Sequence, residues 1–159
     1  MAKANFKTNA LRILETHKIN YTMHTYECKE FVDGLEIARK TGTPEHLVFK
    51  TIVCVGASKE HYVFVIPVAK ELDLKACARS VSEKSVELIK LSDITKITGY
   101  VRGGCSPIGM KKTFKTVIDS SCLSLETMLV SAGKPGYQMQ LNPQDLILAS
   151  DAITDNITL

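Results

Sequence analysis

The chain has 159 residues, of which 45% are apolar and 23% are charged, and its formal net charge is +3. This length and composition predict one globular domain spanning residues 1–159, which can bury a core without disulfides or metals. The small positive charge does not by itself indicate a nucleic-acid partner.

The sequence argues against several classes of protein. No apolar run approaches the roughly 18 residues of a membrane span, and the N-terminal MAKANFKTNALRIL lacks the apolar segment of a secretory signal. Five scattered cysteines without a CxxC pair, and four histidines without ligand spacing, argue against a disulfide framework and a structural metal. We therefore expect a cytoplasmic protein with reduced thiols, no cofactor and no metal.

The first half of the chain predicts two helices, a strand and a hairpin. A helix at 9–18 is capped by Thr8, a strand occupies 20–27, and a short helix at 33–40 ends near Gly42. Thr43-Pro44 predicts another helical turn, with Thr43 as its cap and Pro44 at its first position. The β-branched runs at 48–55 and 61–67, separated by GASKE, predict a hairpin.

The second half predicts two or three helices and then a return to strands. The helices are capped by Asp73, Ser82 and Ser92, and the last of them ends at Gly99. Strands follow at 116–118, 128–131 and 137–141, and Asn142-Pro143 begins a final helix that runs to about residue 149. Short turns between strands favour antiparallel pairing, so the fold class is α/β with a mixed, mainly antiparallel sheet.

Lys50 is unusual because it lies inside the apolar run LVFKTIVCVG. On a strand, Val48, Lys50 and Ile52 share one face, and both faces are largely apolar, which predicts a central strand. A lysine in this place guards a sheet edge, extends its stem to solvent, pairs with an acid or faces a cleft. The residues alone leave these alternatives open.

Two glycine-rich segments are candidate binding loops. VRGGCSPIG at 101–109 places several backbone amides where they can hold an anionic oxygen, although a plain turn has the same composition. SAGKPG at 131–136 is typical of a hairpin turn, with Ser131 at its base. Cys105 in the first loop is a candidate nucleophile without an evident partner histidine. The basic residues around this loop are Arg102, Lys111, Lys112 and Lys115. Their charge alone favours a solvated surface over a binding site.

The order of six motifs resembles a known family. DGLEIA, VFKT, VIP, GYVRGGCSPIG, TVIDSS and VSAGKPG follow one another along nearly the whole chain. Together they resemble the YbaK family of free-standing aminoacyl-tRNA deacylases, which is similar to the editing domain of bacterial prolyl-tRNA synthetase. The resemblance implies a mixed, barrel-like sheet flanked by helices. It also implies a mischarged tRNA as substrate, namely Cys-tRNA(Pro) and also Cys-tRNA(Cys), with Ala-tRNA(Pro) as the alternative.

The resemblance further implies which residues form the site. Lys50 matches the functional lysine of the family, and Gly103 and Gly104 match glycines whose amides support an oxyanion. Members of the family commonly have an acidic residue at the position of Gln138, so this departure alters the charge of the pocket. The positions that match substrate-binding residues are Tyr21, Phe31, Ser106, Pro107, Ser131 and Gln138.

The resemblance implies that the substrate supplies the nucleophile. A cysteinyl thiol attacks its own ester carbonyl, and Lys50 either favours the thiolate or holds the terminal adenosine or its phosphate. Two other functions remain open: a non-catalytic adaptor that binds aminoacyl-tRNA, and a thiol hydrolase that uses Cys105. The expected partners are the acceptor end of an aminoacyl-tRNA and prolyl-tRNA synthetase, and no membrane.

Overall fold

The computed structural model describes residues 7–159, and the first six residues, on which part of the expectation about a secretory signal rests, lie outside this range. The helices are α1 (Asn9–Thr16), α2 (Gly34–Thr41), α3 (Leu74–Ser80), α4 (Ile94–Thr98) and α5 (Pro143–Ser150). The strands are β1 (Thr22–Thr25), β2 (Phe49–Gly56), β3 (His61–Pro67), β4 (Val86–Leu88), β5 (Lys115–Asp119), β6 (Met128–Ser131), β7 (Tyr137–Leu141) and β8 (Ile153–Asp155). Within residues 7–159 no helix has the length and apolarity needed to cross a membrane.

The strands form two sheets. One is three-stranded and antiparallel in the order β1-β7-β6, and the other is five-stranded in the order β4-β2-β3-β5-β8, with parallel pairing of β5 to β3 and β8. Over the described residues, one parallel bridge between Val48 and Leu129 links the two sheets. The predicted α/β class with a mixed, mainly antiparallel sheet is confirmed. The sheets do not close into a barrel, so the expected barrel-like shape holds only loosely.

Most helix ends lie where local chemistry predicts them. The Thr8 hydroxyl accepts a hydrogen bond from the Leu11 amide at 3.2 Å and starts α1, which satisfies a donor that the helix leaves free. The 3-10 turn at Glu45–Leu47 differs slightly from the prediction, because Pro44 rather than Thr43 precedes it. The other confirmed caps are Asp33, Asp73 and Asn142 at helix starts, and Gly42 and Gly99 at helix ends.

Two predicted helix starts are wrong. Ser82 has a φ of +58°, and the residues after it form β4, which pairs with the end of β2. Pairing with a neighbouring strand there outweighs the helical pattern of the local sequence. Ser92 lies inside a 3-10 turn at Leu91–Asp93, and α4 begins after Asp93 without a side-chain cap.

Helix α2 packs over the bridge between the two sheets. Its residues Ile37 and Ala38 are buried in one cluster with Val48, Leu129 and Val68. Burial of each large aliphatic side chain contributes about 1.5–3 kcal/mol. This packing fixes α2 beside the point at which the two sheets meet, and so positions one wall of the cleft described below.

Candidate functional site

A cleft with a volume of about 470 Å³ lies beside the bridge between the two sheets. Helix α2 and the segment before it form one wall, and residues of the first glycine loop line another side. Phe31 and Leu35 lie at its apolar lip and are 50% and 48% exposed. Large exposed apolar side chains beside a concave surface are typical of a ligand-binding site.

Strand pairing places Lys50, Ser131 and Gln138 in one row. Lys50 and Ser131 each follow the Val48–Leu129 bridge by two residues, so their side chains share the face of the bridging pair. Ser131 pairs directly with Gln138 across β6 and β7. All three residues line the cleft, so residues distant in sequence form one polar row in a site whose lining is mainly apolar.

Lys50 is partly buried, and no hydrogen bond or ion pair joins its side chain to another residue within 7–159. Its strand lies between β4 and β3 in the sheet order, as a central strand would. However, β4 pairs only with Cys54–Gly56, so β2 has one neighbour in its own sheet at the level of Lys50. The ammonium group is therefore positioned in the cleft without a carboxylate partner.

Thr51 is a site residue that the sequence analysis missed. Even-numbered residues of β2 exchange hydrogen bonds with β3, as shown by the 2.9 Å bond from the Val68 amide to the Val48 carbonyl. Odd-numbered residues face the other way, and Val53 accepts from Ile89 at 3.2 Å. The backbone N–H and C=O of Thr51 therefore point away from β3, toward the part of the β2 edge that β4 does not reach, and Thr51 lines the cleft. Sequence patterning identifies the strand but not this free edge.

Gly103 in the first glycine loop is a candidate amide donor at the cleft. Gly103 lines the cleft with a φ of +87°, and its N–H makes no hydrogen bond within the described chain. The Gly104 amide is engaged, because it donates to the Val101 carbonyl at 2.9 Å. Of the two glycines, Gly103 is therefore the one placed to support an oxyanion.

Gly104 brings the two glycine loops into contact. A Cβ atom at this position would lie 2.5 Å from the Cδ atom and 2.8 Å from the backbone nitrogen of Pro135. Next to this contact, the Arg102 guanidinium lies 3.9 Å from the centre of the Phe31 ring, which is a favourable cation–π distance. The two glycine loops therefore contact each other, and the first of them also contacts Phe31 at the entrance of the cleft.

The structure gathers some of the predicted site residues at the cleft and not others. Tyr21 packs against the main core, and Ser106 is fully buried with an unpartnered hydroxyl. Pro107 lines a separate cavity of about 110 Å³. Together with Gly104, these three residues are outside the cleft lining. The predicted residues that line it are Phe31, Lys50, Gly103, Ser131 and Gln138.

Cys105 lines the cleft but is poorly suited to act as a nucleophile. Burial raises the pKa of its thiol to about 11, and the hydroxyl of Thr98 opposes this rise only in part. The thiol is therefore protonated at neutral pH, whereas the thiolate is the reactive form. Among the described residues, no group of three or more histidine, cysteine or acidic side chains is placed to hold a metal ion.

We expect Cys105→Ala to retain, within about twofold, the deacylation activity that the family resemblance implies, because a protonated thiol contributes little as a nucleophile. In the wild type, alkylation of Cys105 by iodoacetamide, mapped by mass spectrometry, should accelerate as the pH rises toward about 11. Loss of activity in a folded Cys105→Ala variant, together with full activity in Lys50→Ala, would instead establish a thiol hydrolase.

The chain belongs to the aminoacyl-tRNA editing domain family, whose model matches residues 31–148. This assignment confirms the family resemblance, and the substrates of this class of enzyme are aminoacyl-tRNAs. Among individual proteins, the chain is 39% identical to EbsC of Enterococcus faecalis, named as a candidate Cys-tRNA(Pro)/Cys-tRNA(Cys) deacylase, over 98% of this chain and 96% of that protein.

Two solved structures confirm the fold. The crystal structure of a candidate trans-editing enzyme for prolyl-tRNA synthetase matches with a TM-score of 0.82 and 20% identity, over 98% of this chain and 99% of that one. The hypothetical protein APE2540 matches with a TM-score of 0.85 and 19% identity, over 95% and 99% of the two chains. At this level of identity, the likeness establishes the shared architecture.

Proposed function

We propose that this protein is a trans-editing deacylase that removes cysteine from mischarged Cys-tRNA(Pro), and also from Cys-tRNA(Cys). The observation that carries the proposal is the composition of the cleft, whose lining includes Lys50 and the glycine-loop residue Gly103. Among the described residues that line it there is no histidine, and its one thiol is protonated. The name of the relative from Enterococcus faecalis supports the same substrate.

The cleft composition favours a nucleophile supplied by the substrate. In this mechanism the cysteinyl sulfur forms a bond to its own ester carbonyl carbon, and the bond from that carbon to the ribose oxygen breaks. The tRNA leaves as the alcohol after it takes a proton, and the cysteine leaves as a cyclic thioester that water then hydrolyses. A well-oriented intramolecular thiol can reach an effective molarity of about 10⁵ M or more, so the enzyme chiefly has to orient it.

Lys50 and two backbone amides have distinct tasks in this mechanism. The Lys50 ammonium favours the thiolate over the thiol, because an adjacent positive charge lowers a thiol pKa. Gly103 and Thr51 line the same cleft, and in this mechanism their amides stabilise the charge that develops on the carbonyl oxygen. Lys50 has an alternative task in the same cleft, namely to bind the terminal adenosine or its phosphate.

We further propose that the acceptor end of the tRNA approaches over Phe31 and Arg102. An exposed aromatic ring beside a guanidinium group is suited to stacking a base and holding a phosphate. The net charge of +3 is small for recognition of a whole tRNA, so prolyl-tRNA synthetase is the proposed partner that selects the tRNA body. The protein would then act in the cytoplasm, where that partner works.

The proposal is tested by deacylation of Cys-tRNA(Pro), Ala-tRNA(Pro) and Pro-tRNA(Pro). We expect the cysteinyl ester to be cleaved at least about 100-fold faster than the others, because only cysteine carries the attacking thiol. Comparable cleavage of the alanyl ester would contradict the thiol mechanism and make the protein an Ala-tRNA(Pro) deacylase. Stable retention of intact Cys-tRNA(Pro) would show instead an adaptor that binds without catalysis.

A further inference from the structure

Gln138 is a buried polar residue whose acceptor is unused. Its side chain is only 3% exposed and lines the cleft. The carbonyl oxygen Oε1 makes no hydrogen bond within residues 7–159. A buried acceptor without a donor costs free energy in the empty protein, and a ligand that brings a donor recovers it. The unpaired oxygen of Gln138 therefore indicates that the ligand presents a hydrogen-bond donor at this point.

The neighbouring side chains have other hydrogen-bond partners. His24 lies opposite Gln138 on β1, but its Nε2 atom is 2.7 Å from Oε1 of Gln140. The hydroxyl oxygen of Ser131, on the other side, accepts from the Gly133 amide at 3.1 Å. The protein thus leaves Oε1 of Gln138 unpaired, although polar side chains flank it on both strands.

Tyr26 lies close enough to the Gln138 side chain to be affected by it. Burial raises the Tyr26 pKa, and the Gln138 side chain opposes this rise in part. Among the described residues, the Gln138 atom that is buried without a hydrogen-bond partner is its carbonyl oxygen.

We propose that Gln138 Oε1 accepts a hydrogen bond from the α-amino group of the aminoacyl substrate; this inference rests on the proposed deacylase function. The ester and the ribose ring oxygen are acceptors only, a thiol is a weak donor, and the free ribose hydroxyl beside the ester is a neutral donor. The α-amino group is the donor that the amino acid itself carries, and in its charged form it makes the stronger hydrogen bond to a buried carbonyl oxygen. Its positive charge is also unfavourable beside the Lys50 ammonium.

The row Lys50–Ser131–Gln138 separates the two ends of the substrate amino acid. Lys50 lies on β2 and Gln138 on β7, with β6 between them; β7 pairs with β6, and the Val48–Leu129 bridge joins β2 to β6 two residues before Lys50 and Ser131. The α-amino group at Gln138 and the thiol and ester toward Lys50 give the aminoacyl group two fixed points. This arrangement restricts rotation about the bonds between them, which is the condition for attack of the thiol on its own ester.

The experiment compares two esters with two forms of the enzyme. One ester is Cys-tRNA(Pro), and the other is 3-mercaptopropionyl-tRNA(Pro), which keeps the thiol and lacks only the amino group. The enzymes are the wild type and Gln138→Leu, with Gln144→Leu, an exposed glutamine on α5, as the control. Circular dichroism and thermal melting establish that the variants are folded.

We expect Gln138→Leu to lower kcat/KM for the cysteinyl ester about tenfold and to leave the mercaptopropionyl ester within about twofold of the wild type. That ratio converts to about 1.4 kcal/mol. The amino group also changes the intrinsic reactivity of the ester, but this difference is common to both enzymes and cancels in the comparison. An equal loss on both esters, or no loss on either, overturns the inference.

A binding measurement separates failure of this inference from failure of the proposed function. The probes are two adenosines with a stable 3′-amide link, one cysteinylated and one carrying 3-mercaptopropionate. We expect the wild type to bind the first more tightly and Gln138→Leu to lose about tenfold of that preference, whether or not the enzyme cleaves esters. If both enzymes show the same preference, the α-amino group is not recognised by Gln138.

Discussion

Replacement of Lys50 by methionine should reduce the deacylation rate of Cys-tRNA(Pro) by at least about 100-fold. Methionine keeps the apolar stem that packs at the edge of β2 and removes the ammonium group, which has no acid partner in the described chain. Removal of one preorganised electrostatic group from an active site typically costs a factor of 100 to about 1,000 in rate. Single-turnover deacylation by Lys50→Met and Lys50→Ala measures this effect.

The matched control is Lys75→Ala on α3, an exposed lysine outside the cleft lining. We expect it to retain the wild-type rate. Thermal melting should show Lys50→Met to be as stable as the wild type or more so, since the variant no longer holds an unpaired ammonium in a partly buried place. A folded and fully active Lys50→Met variant would show that Lys50 is not needed for catalysis and would favour a role in preventing pairing at the sheet edge.

The second large effect is expected for Gly104→Ala. The added Cβ atom would meet the ring and backbone nitrogen of Pro135 well inside van der Waals contact, and backbone atoms cannot turn aside as a side chain does. Overpacking of this kind costs about 1–3 kcal/mol and moves the backbone. Displacement of the loop carries Gly103 and Phe31 with it, so activity should fall at least about tenfold and the melting temperature by several degrees.

Gly42→Ala is the control for Gly104→Ala, because it introduces the backbone strain of replacing a glycine without a steric clash. Gly42 ends α2 with a φ of +67°, and no atom lies within 4 Å of the position of its Cβ atom. This variant should lose about 1 kcal/mol of stability through backbone strain and keep its activity. If Gly104→Ala is as active as Gly42→Ala, the contact between the two glycine loops does not position the site.

The strands and caps that depend on local chemistry were predictable from the sequence, and those that depend on distant partners were not. Thr8 and Asp33 cap their helices through bonds to residues three positions ahead, which the sequence displays directly. The strand at Ile153–Asp155 is short and largely exposed, and it exists because β5 offers it a parallel partner. Similarly, β4 is a strand because the end of β2 pairs with it.

The residues of the candidate site also differ in how far the sequence alone reveals them. Lys50 could be identified from the sequence because a charged side chain within an apolar strand needs an explanation. Ser131 and Gln138 were found through family resemblance, and only strand pairing shows that they form one row with Lys50. The departure from an acidic residue at Gln138 becomes meaningful once its oxygen is known to be unpaired.

The free edge of β2 at Thr51 has a consequence for how this site can vary among related proteins. The N–H and C=O groups that face the cleft belong to the main chain, and every amino acid except proline supplies both. Substitutions at position 51 can therefore accumulate without changing these two groups, provided the strand keeps its register. If these groups bind the ester as proposed, part of the binding chemistry does not depend on residue identity, and two family members with few identical residues would present the same donor and acceptor to it.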